Sequence, residues 1–271
     1  MLKNEDFVEK DMGLTPLYTP KTDRPMRVAG FMSGSGSNLR KIIEYSREFE
    51  SREGRSPYKV VVIFSDNPES NAKTLGREFE IPYLLNDIKE FYRGKHAKMG
   101  NMGVLALFDR ETVRMLEPFG VDVVACAGYM KMITSVLFDA LPCVNVHPAD
   151  LSMIDGLGKR KYRGDHAVRD AILGGELNLR SSTHLMTEEA DTGPLLMISH
   201  AVPVVLPIDF NHEDKTMVEG IAEEHQNRLK KTGDWAIFPK TLEYIAQGRF
   251  SRNGSNAFYF DGKHIHDGLR L

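Results

Sequence analysis

The chemistry in this chain centres on Val144-Asn145-Val146-His147-Pro148. An apolar run over 141–146 ends there in an amide and an imidazole two residues apart. On a β-strand that spacing turns both side chains to one face. Pro148 has no N–H for the ladder and stops the strand. Asn145 and His147 therefore stand side by side at a strand end, where open α/β sheets bind their ligands. Asn145 offers an N–H donor to developing negative charge. His147 offers a proton acceptor or donor that works near neutrality. Read blandly, the same residues are a capping Asn and an exposed His.

Two further stretches carry chemistry. Ser33-Gly34-Ser35-Gly36-Ser37-Asn38 follows an apolar strand pattern over 26–32, and Leu39, Ile42 and Ile43 then open a helical pattern. In a strand–turn–helix of this kind, glycines let the backbone approach a ligand and the first-turn N–H groups face an anion. Neither a Walker lysine nor a third dinucleotide-type glycine is present, so a small phosphate ester fits better than ATP or NAD. The alternative is a plain β–α turn. Further on, Thr187-Glu188-Glu189-Ala190-Asp191-Thr192-Gly193-Pro194 forms an acidic turn-rich loop. A basic loop, 150–164, contains Lys159, Arg160, Lys161 and Arg163 and is either a solvated surface or a holder of anionic ligand.

The elements that must position these groups alternate strand and helix. Buried strands are expected over 26–32, 58–65, 82–85, 122–127 and 141–147, with helices over 39–49, 70–79 and, in two pieces, 87–118. In the second of those pieces Val104, Leu107, Phe108 and Met115 share one face. Asp165 is a candidate N-cap for a helix ending at Leu173. Strands over 180–186 and 195–205 are separated only by the acidic loop, too short for a crossover, so they pair antiparallel. Helices over 213–232 and 236–247 and a hairpin around Asp261-Gly262 complete the chain. The fold class is α/β, a doubly wound, mostly parallel sheet with antiparallel strands in the C-terminal half. Three regions are expected: an irregular extension over 1–25, a catalytic domain over 26–206, and C-terminal helices and hairpin over 207–271 packed on the same domain.

Composition limits the partners. The 271 residues are 41% hydrophobic and 27% charged with a net charge of −3, which argues against general nucleic-acid or membrane-surface binding. No apolar stretch approaches the ~20 residues needed to span a bilayer. The N-terminus is polar and acidic, unlike a signal peptide. Cys126 and Cys143 lie in apolar runs without a C-x-x-C spacing and read as buried free thiols of a reducing cytoplasm. The nine histidines are scattered and suggest no metal site.

Taken together, the chain resembles the phosphoribosylglycinamide (glycinamide ribonucleotide) formyltransferases. The matching pieces occur in family order: Ser33 to Leu39, Ala127-Gly128-Tyr129-Met130-Lys131-Met132-Ile133, Asn145-Val146-His147-Pro148, Gly164-Asp165-His166-Ala167 and Asp191-Thr192-Gly193-Pro194. The resemblance implies transfer of a formyl group from 10-formyltetrahydrofolate to the amine of glycinamide ribonucleotide. It implies a phosphate seat at Gly36, Ser37 and Asn38, and a pterin cleft made by Met130, Lys131, Met132 and Ile133 with Thr187, Glu188, Glu189, Ala190 and Asp191. Asn145, His147 and Asp191 would be the catalytic set, with His166 and His184 in support. The implied partners are a phosphorylated amine and folate, without nucleic acid, membrane or metal. A homodimer is compatible with it.

The sequence departs from the family in places. Ala149-Asp150-Leu151-Ser152 replaces the usual Ser-Leu-Leu-Pro, and Arg110 is the nearest counterpart of a folate-tail arginine. Either Glu224 or Asp234 would supply the acidic contact to substrate. Formyltetrahydrofolate deformylase, a formyltransferase for another amine such as an amino sugar nucleotide, and a silent phosphate- or folate-binding protein are the rival readings.

Overall fold

The computed structural model describes residues 13–271, so residues 1–12 of the expected extension lie outside the described residues. In chain order the strands and helices begin with β1 (Thr15–Pro16), β2 (Met26–Met32), α1 (Ser37–Glu53), β3 (Tyr58–Ser65), α2 (Ala72–Phe79) and β4 (Tyr83–Leu85). Next come α3 (Ile88–Gly94), α4 (Met102–Leu116), β5 (Val123–Cys126), α5 (Ser135–Phe138) and β6 (Cys143–His147). The second half holds α6 (Ala167–Leu173), β7 (Asn178–Leu179), β8 (Ser182–Leu185), β9 (Leu195–Ile198), β10 (Val202–Pro203), α7 (Lys215–Leu229) and α8 (Trp235–Ala246). The chain closes with β11 (Phe250–Arg252), β12 (Phe258–Phe260), β13 (Lys263–His264) and β14 (Leu269–Arg270).

Eight strands form the central sheet in the order β14-β9-β8-β6-β5-β2-β3-β4. The run from β6 to β4 is parallel, and β8 pairs antiparallel with both β6 and β9. The chain winds outward from β2 in both directions, through β3 on one side and β5 on the other. That reversal leaves a crevice at the carboxyl ends of β2, β5 and β6. β-branched and apolar residues fill these strands because both faces are covered. On one face Val28, Ile42, Leu75, Ile237 and Leu242 pack beneath α1, α2 and α8. On the other Phe31, Phe64, Leu105, Phe108 and Tyr129 pack against α3 and α4.

Several expectations change. In α4 the buried face is Leu105, Phe108, Asp109, Thr112 and Leu116, and Leu107 is exposed. Asp109 belongs to that face because it accepts hydrogen bonds from the N–H and hydroxyl of Thr134, whereas the buried Thr112 hydroxyl has no partner among the described residues. Asp165 does not cap α6, which begins at Ala167 after His166. The strand expected over 195–205 breaks at Ser199 and His200, and Val202 pairs with Leu179 instead. Helices α7 and α8 are joined by one π-helical turn, Lys230–Asp234. Within the stretch expected to be irregular, Thr15 and Pro16 pair with Arg252 and Ser251. The hairpin at Asp261-Gly262 is present, with φ of 49° and 76° at its two turn residues, the left-handed pair that a tight hairpin turn requires. Cys126 and Cys143 are buried and unpaired. Among the described residues no helix is long and apolar enough to cross a membrane.

Candidate active site

The crevice at the strand ends is a cavity of about 580 Å³. Gly36, Ser37, Asn38, Met130, Lys131, Met132, Ile133, Asn145, His147 and the loop 187–191 all line it.

At one end, the Gly/Ser turn feeds α1. Gly36 is the residue before the helix and sits at φ 73°. A Cβ there would lie 2.4 Å from Leu75 Cδ1 and 2.7 Å from Met32 Cε. The left-handed backbone favours glycine there, and a Cβ would in addition have to push aside the ends of the Leu75 and Met32 side chains. Among the described residues no side chain caps the first turn of α1, which leaves its N–H groups open to an anion. The Asn38 side chain is committed elsewhere. It donates to Asp234 Oδ2 at 3.2 Å and accepts from Trp235 Nε1 at 3.0 Å.

In the middle stand Asn145 and His147, delivered to one face by β6. His147 is buried, with its side chain 7% exposed. Its Nε2 lies 2.9 Å from the carbonyl oxygen of Tyr162. A carbonyl only accepts, so Nε2 carries the hydrogen, and in the neutral ring Nδ1 is bare. That bare Nδ1 is 3.4 Å from Asp191 Oδ1. Burial pushes His147 below the ordinary imidazole range, and the Asp191 charge pulls it back upward. His184 repeats the arrangement. Its Nδ1 faces Leu185 O at 2.9 Å, leaving Nε2 3.4 Å from both Asp191 Oδ1 and Asn145 Nδ2. Burial alone would raise the Asp191 carboxyl. The neighbouring His184 and His147 rings and the Gly164 N–H outweigh it and hold Asp191 below the usual carboxylate range.

The basic loop turns out to hold the acidic one. Arg160 donates to Asp191 O at 2.6 Å and to Gly193 O at 2.8 Å. Arg163 pairs with Glu189, and Gly164 N–H donates to Asp191 Oδ2 at 2.9 Å. Gly193 fits because a Cβ there would lie 1.8 Å from Leu185 O.

Of the two acidic candidates, Asp234 lines the cavity and Glu224 is exposed outside it. Asp234 accepts from Ser181 Oγ at 2.6 Å and from Asn38, and burial raises its carboxyl to about 6. Arg110 and His166 are exposed and do not line the cavity. Sequence reasoning missed Gln226 and Lys230, which do line it. Their signal was legible: Gln226, Lys230 and Asp234 recur every fourth residue, the spacing of one helix face. Among the described residues no group of three or more His, Cys, Asp or Glu could hold a metal ion.

A sequence model of the formyl transferase family matches residues 26–231. The chain belongs to the formyl transferase family. This formyl transferase is 25% identical over 243 residues to the phosphoribosylglycinamide formyltransferase of Escherichia coli, covering 89% of this chain and 96% of that protein. It is 28% identical over 229 residues to the trifunctional purine biosynthetic protein adenosine-3 of Drosophila melanogaster, covering 84% of this chain and 14% of that much longer protein. The crystal structure of glycinamide ribonucleotide transformylase 1 from Symbiobacterium toebii superposes with a TM-score of 0.64 at 25% identity. That match covers 87% of this chain and 94% of the other.

Proposed function

We propose that this formyl transferase moves the formyl group of 10-formyltetrahydrofolate to the amine of glycinamide ribonucleotide, a step of purine biosynthesis, in the cytoplasm. The observation that carries the reading is the convergence of Asn145, His147 and Asp191 in one cavity that has an uncapped helix N-terminus at one end. A phosphate seat beside a proton-handling pair suits a phosphorylated amine.

The folate supplies a formyl carbon already activated by its bond to nitrogen. The residues of this chain do the rest. The N–H groups of Ser37 and Asn38 hold the substrate phosphate after the close approach at Gly36, with Lys230 as a cation lining the same cavity. Asp234 accepts from a ribose hydroxyl. The segments 130–133 and 187–191 form the walls that take the pterin.

As the amine attacks, the new C–N bond forms and negative charge grows on the formyl oxygen, where the Asn145 N–H donates to it. His147 Nδ1, kept bare by the Tyr162 carbonyl, takes the proton leaving the amine. Asp191 remains ionised and stabilises the imidazolium so formed. The same proton then passes to the departing folate nitrogen as its C–N bond breaks, which returns His147 to its starting form.

A spectrophotometric assay with 10-formyltetrahydrofolate and glycinamide ribonucleotide tests the reading. Folate turnover dependent on the amine is expected. Turnover without amine would make the protein a deformylase. Turnover only with a different phosphorylated amine would reassign the substrate, and binding without turnover would make it a binding protein.

A further inference from the structure

Ser33, which opens the Gly/Ser turn, uses every hydrogen-bonding atom it has. Its N–H donates to Gly128 O at 2.9 Å, and its carbonyl accepts from Asn67 Nδ2 at 2.9 Å. Its hydroxyl donates to Asp66 Oδ1 at 2.6 Å and accepts from the Met130 N–H at 3.0 Å. Three pieces of chain meet on this one side chain: the phosphate turn, the end of β3, and the loop 128–134 that walls the folate cleft.

Stability alone gives poor reason for this arrangement. Asp66 is 1% exposed, and its Oδ2 has no partner among the described residues. A buried carboxyl with one oxygen unbonded costs stability. The far end of the same loop repeats the device. Asp109 Oδ2 accepts from Thr134 N–H at 2.6 Å and from its hydroxyl at 2.7 Å, while Oδ1 is unpartnered among the described residues. Loop 128–134 is thus tied at Met130 by the Ser33 hydroxyl that Asp66 holds, and at Thr134 by Asp109. The side chains of Met130 and Met132 nonetheless stand 63% and 47% exposed. Such a loop follows its anchors, and Ser33 is the anchor it shares with the phosphate turn.

We propose that Ser33, held by Asp66, is a positioning residue that couples the two substrate seats. A phosphate settling on 33–38 fixes the Ser33 hydroxyl, which fixes the Met130 N–H and with it the folate-facing loop. The coupling is reciprocal, as any binding coupling must be. This inference rests on the function proposed above.

Tetrahydrofolate, which lacks the formyl group, allows the coupling to be measured without reaction. Its Kd is determined by titration with and without saturating glycinamide ribonucleotide. In the unaltered protein the nucleotide is expected to lower that Kd by ~5-fold or more, within the usual range of coupling. In Ser33→Ala the two Kd values are expected to agree within about twofold, because both hydroxyl bonds are gone. Asp66→Asn keeps an acceptor oxygen for Ser33 and should retain the coupling, whereas Asp66→Ala should lose it. This second pair carries the test if Ser33→Ala does not fold. Coupling absent from the unaltered protein, or undiminished in Ser33→Ala and Asp66→Ala, overturns the proposal. If the unaltered protein formylates glycinamide ribonucleotide yet its binding is uncoupled, only the coupling fails. If it binds neither ligand, the function fails and this inference with it.

Discussion

Asp191 brings its Oδ1 to 3.4 Å from His147 Nδ1 while its own backbone sits at φ 58°. Aspartate tolerates that left-handed region better than most residues other than glycine, and its surroundings decide whether it stays there. Here the deciding contacts come from the basic loop, through the Arg160 fork on Asp191 O and Gly193 O and the Gly164 N–H on Asp191 Oδ2. The pairing of ring and acid is therefore a product of two loops locked together, and it can be taken apart one contact at a time.

Removing the acid tests the pair directly. Asp191→Asn is expected to lower kcat at least ~100-fold, the usual scale for general acid–base groups. The charge that pulls His147 upward would also be lost, so the acid limb of kcat/KM should move to lower pH. His147→Ala should lower kcat at least ~100-fold and abolish that limb altogether. Near-normal turnover in either variant removes the assigned proton transfer.

Arg160 should act through Asp191 without touching substrate. Arg160→Lys keeps the charge but cannot span two carbonyl oxygens with a planar fork. A fall in kcat of roughly 10- to 100-fold is expected from a displaced acid, with KM for the phosphorylated amine little changed. Equal losses in binding of both substrates would point instead to a general disturbance of the cavity.

Asp234 sets stability against binding. Burial raises its carboxyl from 3.8 to about 6, so the folded chain holds this proton at a pH where the unfolded chain has released it. The stability so contributed is complete below 3.8 and is lost as the pH rises through 6. At pH 8 the ionised group has forfeited about 3 kcal/mol, at 1.36 kcal/mol per unit. In Asp234→Asn the amide oxygen still meets Asn38, and the Ser181 hydroxyl can turn and accept. The variant should melt several degrees higher at pH 8, with a smaller gain at pH 5, and its KM for the phosphorylated amine should rise ~10-fold or more. A Tm difference independent of pH would contradict the buried charge.

Gly36→Ala places a methyl at φ 73° against Leu75 and Met32. Left-handed strain and overpacking together should cost about 2–4 kcal/mol. Because those neighbours lie under the phosphate turn, KM for the phosphorylated substrate should rise more than KM for the folate. Denaturant unfolding and substrate-by-substrate kinetics separate the two effects.

The sequence by itself determined the parts of this protein whose signals are local. The buried strands Met26–Met32 and Tyr58–Ser65 were readable to the residue, because a strand covered on both faces shows as a mostly apolar run, here interrupted only by Arg27 and Lys59 near the start and followed by Ser33 or Asp66. The i, i+2 spacing of Asn145 and His147, the Gly/Ser turn before α1 and the hairpin at Asp261-Gly262 were equally local. Groups that depend on distant partners were not readable in this way. Asp109 lies on the buried face of α4 because Thr134 sits opposite it. Glu224 was as good a candidate as Asp234 until the fold set Asp234 at the end of the π-helical turn, lining the cavity beside Asn38. Arg160 and Arg163 proved to be clamps on the acidic loop, a role that charge pattern alone could not separate from a solvated surface. The tautomer of His147 was decided last of all, by the carbonyl of Tyr162. A single lone pair 15 residues away in the chain settles which nitrogen is free to take a proton, and only the folded chain brings the two within 2.9 Å.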